Sequence, residues 1–297
     1  MRIPHNILNC VCFLGVHLAE GVDGGKFLCL GTGFFVGVRQ DDWDFLYLLT
    51  AKHVLDEAVK AKLPLAMRLN KRDGGSAYIL LAPETAWWRS AEADLAILPA
   101  VIDAAVFQFE ALPLQMLATA EKLSTHAIGL GDDLFTVGLF SLRTGKQQNI
   151  PIVRTGIISA IPSEPLTEKN KPPYHAYLAE MRSIGGLSGS PVFVYIDRFR
   201  TVDSNIPEGH DWTYFCIGYV RGHWKLDREM IADDIVESDV ALGFNPGETL
   251  NVGIAVVSPS IYAINMLTHP TLQKRREDHI KERGEKGELA DDSIHTP

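Results

Sequence analysis

Three polar residues of this chain stand where a rigid scaffold can hold them. His53 follows an apolar run in "LYLLTAKHVL", Asp94 opens another in "AEADLAILPA", and Ser188 sits in the glycine-rich "IGGLSGSPVF". A serine hydroxyl becomes a good nucleophile only when a base takes its proton and a third group orients that base. An acid followed directly by Leu-Ala-Ile-Leu is expected to be partly buried, where it would orient an imidazole well. Each residue also has a plainer reading. The histidine could merely start a helix and the aspartate merely edge a strand. Three glycines, two serines and a proline within residues 184–193 are ordinary turn punctuation.

The order His, Asp, Ser narrows the chemistry. Subtilisin-type enzymes run Asp, His, Ser, and α/β-hydrolases run Ser, acid, His. The hydrolase elbow G-x-S-x-G also fails, because Ser190 occupies its final glycine position. In the remaining order, "TAKHV" is similar to T-A-x-H-[CV], "ADLAIL" to D-[IL]-A-[LV] and "GGLSGSPV" to G-x-S-G-[GS]-P. These are the motifs of trypsin-like serine peptidases of the chymotrypsin fold, which the chain resembles over roughly residues 8 to 268. "VRTGIISAIP" and "NVGIAVVSPSIYAINML" resemble segments of bacterial heat-stress (HtrA-type) proteases, and "CIGYVRGHW" resembles the strand that pairs with bound substrate.

The resemblance implies a serine endopeptidase acting on a protein or peptide substrate, with His53 as base, Asp94 as its orienter and Ser188 as nucleophile. It implies an oxyanion hole made by the backbone N–H groups of Gly186 and Ser188, and no metal or other cofactor. Arg221, Gly222 and His223 would edge the substrate cleft. Arg182, six residues before Ser188, falls where the family lines its P1 pocket and would favour an acidic group; pairing with an internal acid such as Glu180 or Asp197 is the alternative. The chain departs from the family at Leu187, where secreted trypsins carry the aspartate that pairs with a freed N-terminus. No propeptide, family disulfide or PDZ domain is expected. The turn must then be held by its own packing or by an activating partner, and a catalytically silent binding module is the competing reading. An esterase using the same triad has no sequence feature of its own.

The elements that must hold these residues are nearly all strands. Thirteen or so short runs rich in β-branched and aromatic residues recur from end to end, including "HAIGLG" (126–131). Helical pattern is confined to "AKHVLDEAVKAK" and a segment starting near "SPSIYAINML". The expectation is an all-β protein of two tandem six-stranded antiparallel barrels with a short C-terminal helix. The expected division is 1–112 with His53 and Asp94, 113–268 with Ser188, and a charged, partly helical or disordered tail over 269–297. A hairpin tip over 197–212 and a long insertion over 223–250 fall outside this rhythm.

Bulk properties exclude other classes. Of 297 residues 46 % are hydrophobic and 22 % charged, enough for a large core without staples. The formal net charge of −9 argues against nucleic acid as a partner. "GTGFFVG" (31–37) lacks the third glycine of a dinucleotide fingerprint and reads as a glycine-permitted strand bend. The four cysteines, Cys10, Cys12, Cys29 and Cys216, and the ten histidines show no metal spacing. Reduced thiols, no signal peptide and no membrane span point to a cytoplasmic protein, and the resemblance to HtrA-type proteases implies a bacterial one. Trp87 and Trp88 read as packing anchors.

Overall fold

The computed structural model describes residues 3–17, 27–140, 143–168, 172–181, 186–196, 214–226 and 250–285. Arg182, the 197–212 segment, most of 223–250 and the end of the chain lie outside them.

The first half builds an eight-stranded sheet. Its strands are β1 (Val11–His17), β2 (Phe27–Gln40), β3 (Trp43–Thr50), β4 (Leu65–Asn70), β5 (Ser76–Leu80), β6 (Trp88–Arg89), β7 (Ala96–Ala100) and β8 (Leu112–Pro113). The order is β5-β4-β1-β2-β3-β7-β6, with β8 alongside β2. The second half closes into the expected six-stranded antiparallel barrel. Its strands are β9 (Asp133–Gly138), β10 (Ile152–Ala160), β11 (Tyr177–Glu180), β12 (Pro191–Tyr195), β13 (Tyr214–Leu226) and β14 (Leu250–Pro259), ordered β10-β11-β14-β13-β12-β9. The fold is all-β with a few short helices: α1 (Lys52–Ala61), α2 (Ala120–Thr125), α3 (Ile261–Leu267) and α4 (Pro270–Glu285).

Near-continuous apolar strands bury both faces, and the core follows from that. One apolar cluster fills the sheet, with Leu14, Phe35, Leu48 and Leu98. A second fills the barrel, with Leu134, Val192, Val194 and Val257. A third joins Phe34, Leu49 and Ile97 of the sheet to Phe135, Phe193 and Tyr219 of the barrel, and to Leu267 and Leu272 of the closing helices. The two halves therefore meet through packed side chains, which fixes the elements on either side of the cleft.

Polar clasps reinforce that seam. The buried Arg68 of β4 donates to the carbonyls of Gly145 (2.8 Å) and Lys146 (3.1 Å) in the loop between β9 and β10. Asn149 of that loop donates its backbone N–H to Asn70 Oδ1 (2.6 Å) and its Nδ2 to the Arg68 carbonyl (2.6 Å). At the other end, Arg276 of α4 reaches Gln40 Oε1 (2.6 Å), the Tyr47 hydroxyl (2.9 Å) and the Leu267 carbonyl (3.0 Å).

The first half differs from the expected six-stranded antiparallel barrel: the two-residue strands β6 and β8 extend it to an eight-stranded sheet, β8 lying parallel to β2. Two segments differ as well. "HAIGLG" forms no strand: α2 precedes it, Ala127 is left-handed at φ 47°, and the Asp132 carboxylate accepts the Gly129 N–H at 2.7 Å, so the segment is spent on a turn. The helix of the charged tail is not wholly solvated, since Leu272 and Arg276 are buried. Trp87 is a buried packing residue, as expected, and Trp88 packs against His269 and Arg275.

Candidate active site

Strand register brings His53 and Asp94 together. β3 and β7 run antiparallel with Thr50 opposite Ala96, so the residues just past one strand end and just before the other must meet. They do: His53 Nδ1 lies 2.7 Å from Asp94 Oδ2. The His53 backbone N–H donates to Asp94 Oδ1 at 3.0 Å, and the Lys52 N–H donates to the Asp94 carbonyl at 3.3 Å. These N–H groups belong to the first turn of α1, whose own N-cap residue, Ala51, supplies no side-chain acceptor. Asp94 thus caps the helix that carries the histidine, satisfying donors that helix geometry leaves unpaired.

The pair is unevenly exposed, with the Asp94 side chain 12 % accessible and the His53 side chain 37 %. The carboxylate is shielded while the imidazole stays partly open to solvent. Burial alone would push the His53 pKa down, but the hydrogen bond and charge of Asp94 outweigh it, and the net shift is upward. For Asp94, burial would raise the pKa, but the bond and charge of His53 overcome this and hold it below its ordinary value. The positive charge of Arg221 acts on both groups, lowering each.

Ser188 arrives from the barrel on a tight turn before β12. Ser190 donates to the Leu187 carbonyl (2.9 Å), and Gly186 and Gly189 take φ values of +100° and +84° that side chains rarely adopt. Gly189 has a second reason to be glycine. A Cβ there would stand 2.2 Å from the Thr32 carbonyl oxygen, 2.6 Å from Thr50 Oγ1 and 3.0 Å from the Ala51 nitrogen. The turn is therefore pressed against Thr50 and Ala51, immediately before His53. Its far side is tied to β13, because the Gly189 N–H donates to Val220 O (2.8 Å) and the Val220 N–H donates to Ser190 O (2.8 Å). Among the described residues neither the hydroxyl nor the N–H of Ser188 engages in a hydrogen bond.

Leu187 replaces electrostatic anchoring with apolar burial. Its side chain is 1 % exposed within the barrel cluster. "GTGFFVG" also gains a meaning that sequence reading missed. A Cβ on Gly31 would meet Ser188 O at 2.9 Å and Val54 at 2.7 Å, so glycine there lets the turn and α1 close on β2.

Arg221, Gly222 and His223, expected to edge the cleft, lie on β13. Pairing with β12 ends at Tyr219, while β14 continues to pair opposite Gly222 and His223. Arg221 and the residues after it therefore have one edge with no described strand. The Arg221 guanidinium stacks 3.5 Å from the centre of the Tyr174 ring, and the Tyr174 hydroxyl bonds to Glu168. A Cβ on Gly222 would meet nothing within 4 Å, leaving the strand surface open there. Arg182 lies outside the described residues.

Other chemistry is scarce. Among the described residues no group of three His, Cys, Asp or Glu side chains could hold a metal, and no helix is long and apolar enough to cross a membrane. The cysteines are free, and burial pushes the Cys29 thiol up to about 11 and the Cys216 thiol to about 12.

This arrangement of sheet and barrel is consistent with the chymotrypsin-like fold of trypsin-like peptidases. Residues 31–197, more than half of the chain, match the family described as "Trypsin-like peptidase domain", and the chain belongs to it. Among solved structures it is similar to the protease domain of MamO from Magnetospirillum magneticum in its apo form. That likeness has 12 % identity and a TM-score of 0.47, covering 89 % of this chain and 98 % of the other. It is also similar to Deg5, at 15 % identity and a TM-score of 0.38, covering 63 % of this chain and 75 % of that one. No curated protein sequence matches the chain.

Proposed function

We propose that the protein is a serine endopeptidase using His53, Asp94 and Ser188. The observation that supports this reading is the Asp94 carboxylate, which holds His53 Nδ1 at 2.7 Å and caps its helix, beside a turn whose Gly189, next to Ser188, packs against Thr50 and Ala51. With Nδ1 occupied, the imidazole presents Nε2 as the base. Ser188 Oγ attacks a peptide carbonyl and passes its proton to His53, which then gives it to the leaving amine. The acyl-serine is released by water through the same base. Asp94 stays ionised throughout and balances the imidazolium.

The Ser188 N–H, which bonds to none of the described residues, serves with that of Gly186 as donor to the oxyanion; losing one such donor typically costs about 10²- to 10³-fold in rate. The β13 edge at Arg221 and Gly222, which no strand among the described residues pairs, receives the substrate as an added extended strand, with His223 following on the same strand. Arg221 and Arg182 favour acidic groups near the scissile bond. This places the protein in contact with peptide or protein substrates.

The competing reading is a trypsin-like binding module that does no chemistry, favoured by Leu187 in place of the family's aspartate. A fluorophosphonate probe separates the two. Wild type, Ser188→Ala and His53→Ala are treated and the adduct is located by mass spectrometry. Labelling at Ser188, lost in both variants, is expected, together with cleavage of a mixed peptide library by wild type. An unlabelled wild type would leave the binding module.

A further inference from the structure

Thr32 lies on β2 in the sheet, 156 positions before the nucleophile, yet every polar group it owns is spent on the active-site turn or its supports. Its N–H donates to Ser188 O at 2.9 Å. Its hydroxyl donates to Gly186 O at 2.9 Å and accepts the Leu139 N–H at 2.9 Å. Its carbonyl accepts the Thr50 hydroxyl at 2.8 Å. The residue is wholly buried, so water cannot substitute for any of these partners. Gly31 and Gly33 flank it, and added Cβ atoms would collide with Ser188 O and Val54 at the first and with the Leu48 side chain at the second, which explains why the site needs glycine on both sides.

We propose that Thr32 is a positioning residue for the nucleophile turn, a role that rests on the peptidase reading above. The peptide following Ser188 is gripped from both sides, its carbonyl by Thr32 and its N–H by Val220 O. The peptide following Gly186 is gripped by the Thr32 hydroxyl. What lies between is the peptide whose N–H is the Ser188 oxyanion donor. Fixing the peptides on either side leaves that N–H, and the serine side chain above it, little freedom to turn away. The Leu139 bond extends the grip to the end of β9, behind Gly186. With Leu187 anchored in the barrel, the hydroxyl takes over the task that a charged pair performs in secreted relatives. The turn is assembled by the sheet, with no added partner required.

The test compares Thr32→Val, which keeps the shape and deletes the hydroxyl, with Thr32→Ser, which keeps the hydroxyl. Two readouts are taken on the whole protein at matched thermal stability: fluorophosphonate inactivation kinetics at Ser188, and amide hydrogen exchange of the peptide spanning 186–192. For Thr32→Val the maximal inactivation rate should fall about 10²-fold, as for a misplaced reacting group, with the half-saturating probe concentration unchanged and faster exchange in the turn. Thr32→Ser should restore both. Wild-type kinetics and exchange in Thr32→Val would overturn the proposal. If wild type itself is not labelled, the peptidase reading falls and exchange alone decides Thr32: unchanged protection overturns it, and a serine-rescued loss supports it. Should Thr32→Val fail to fold, Thr32→Cys, a weak donor of similar size, carries the same comparison.

Discussion

At the residue scale, the His53–Asp94 pair sets opposite demands on pH. His53 is raised in the fold, so its contribution to stability is fully present below the ordinary histidine value of 6.5 and is lost as pH rises through the raised value. Asp94 is lowered, so its contribution is present above the ordinary 3.8 and is lost as pH falls through the depressed value. The pair therefore stabilises most in mildly acid solution, whereas base catalysis needs the imidazole neutral, above its raised pKa. Arg221 moderates this conflict by lowering His53. Replacing it, as in Arg221→Gln, should move the acid limb of the Ser188 labelling profile to higher pH, measured as inactivation rate against pH at constant ionic strength. A limb that stays put or moves down would show that the guanidinium does not tune the base. His53, Asp94 and Ser188 were legible because each carries its signal in its immediate neighbours. Thr32 was not, because three of its four partners lie more than a hundred residues away and its own neighbourhood reads as a strand bend.

At the element scale, backbone from both the sheet and the barrel converges on Gly189 in the turn before β12. Gly189→Ala combines a disfavoured φ with a Cβ driven into the Thr32 carbonyl, and should cost at least about 3 kcal/mol by denaturant unfolding. Gly74→Ala, also at positive φ but with open space around it, should cost only about 1 kcal/mol. Equal losses would mean that φ strain alone matters at Gly189. Most strands were readable from their apolar runs and β-branched content. The exceptions are instructive. "HAIGLG" has strand composition but follows a helix and is consumed by a turn, while the two-residue strands β6 and β8 are too short to show any alternation.

At the scale of the whole molecule, α4 was legible as a charged helix but not as a docked one. Its charged residues hid the two that face inward, because Arg276 is buried by partners brought from Gln40 and Tyr47 rather than by a neighbouring acid. Arg276→Ala would strand the Tyr47 hydroxyl and the Leu267 carbonyl in the interior and should lower unfolding free energy by about 3 kcal/mol, read from urea denaturation of the full chain. A loss below about 1 kcal/mol would mean that solvent already reaches the pocket. The clasp also has a temporal side. During synthesis the strands carrying Gln40 and Tyr47 leave the ribosome more than two hundred residues before Arg276 does, so these two side chains bond to water until the guanidinium arrives. The sheet that leads into His53 is thus sealed late, by a helix that follows both halves in the chain, and a product cut short before Arg276 would leave Gln40 and Tyr47 without that clasp.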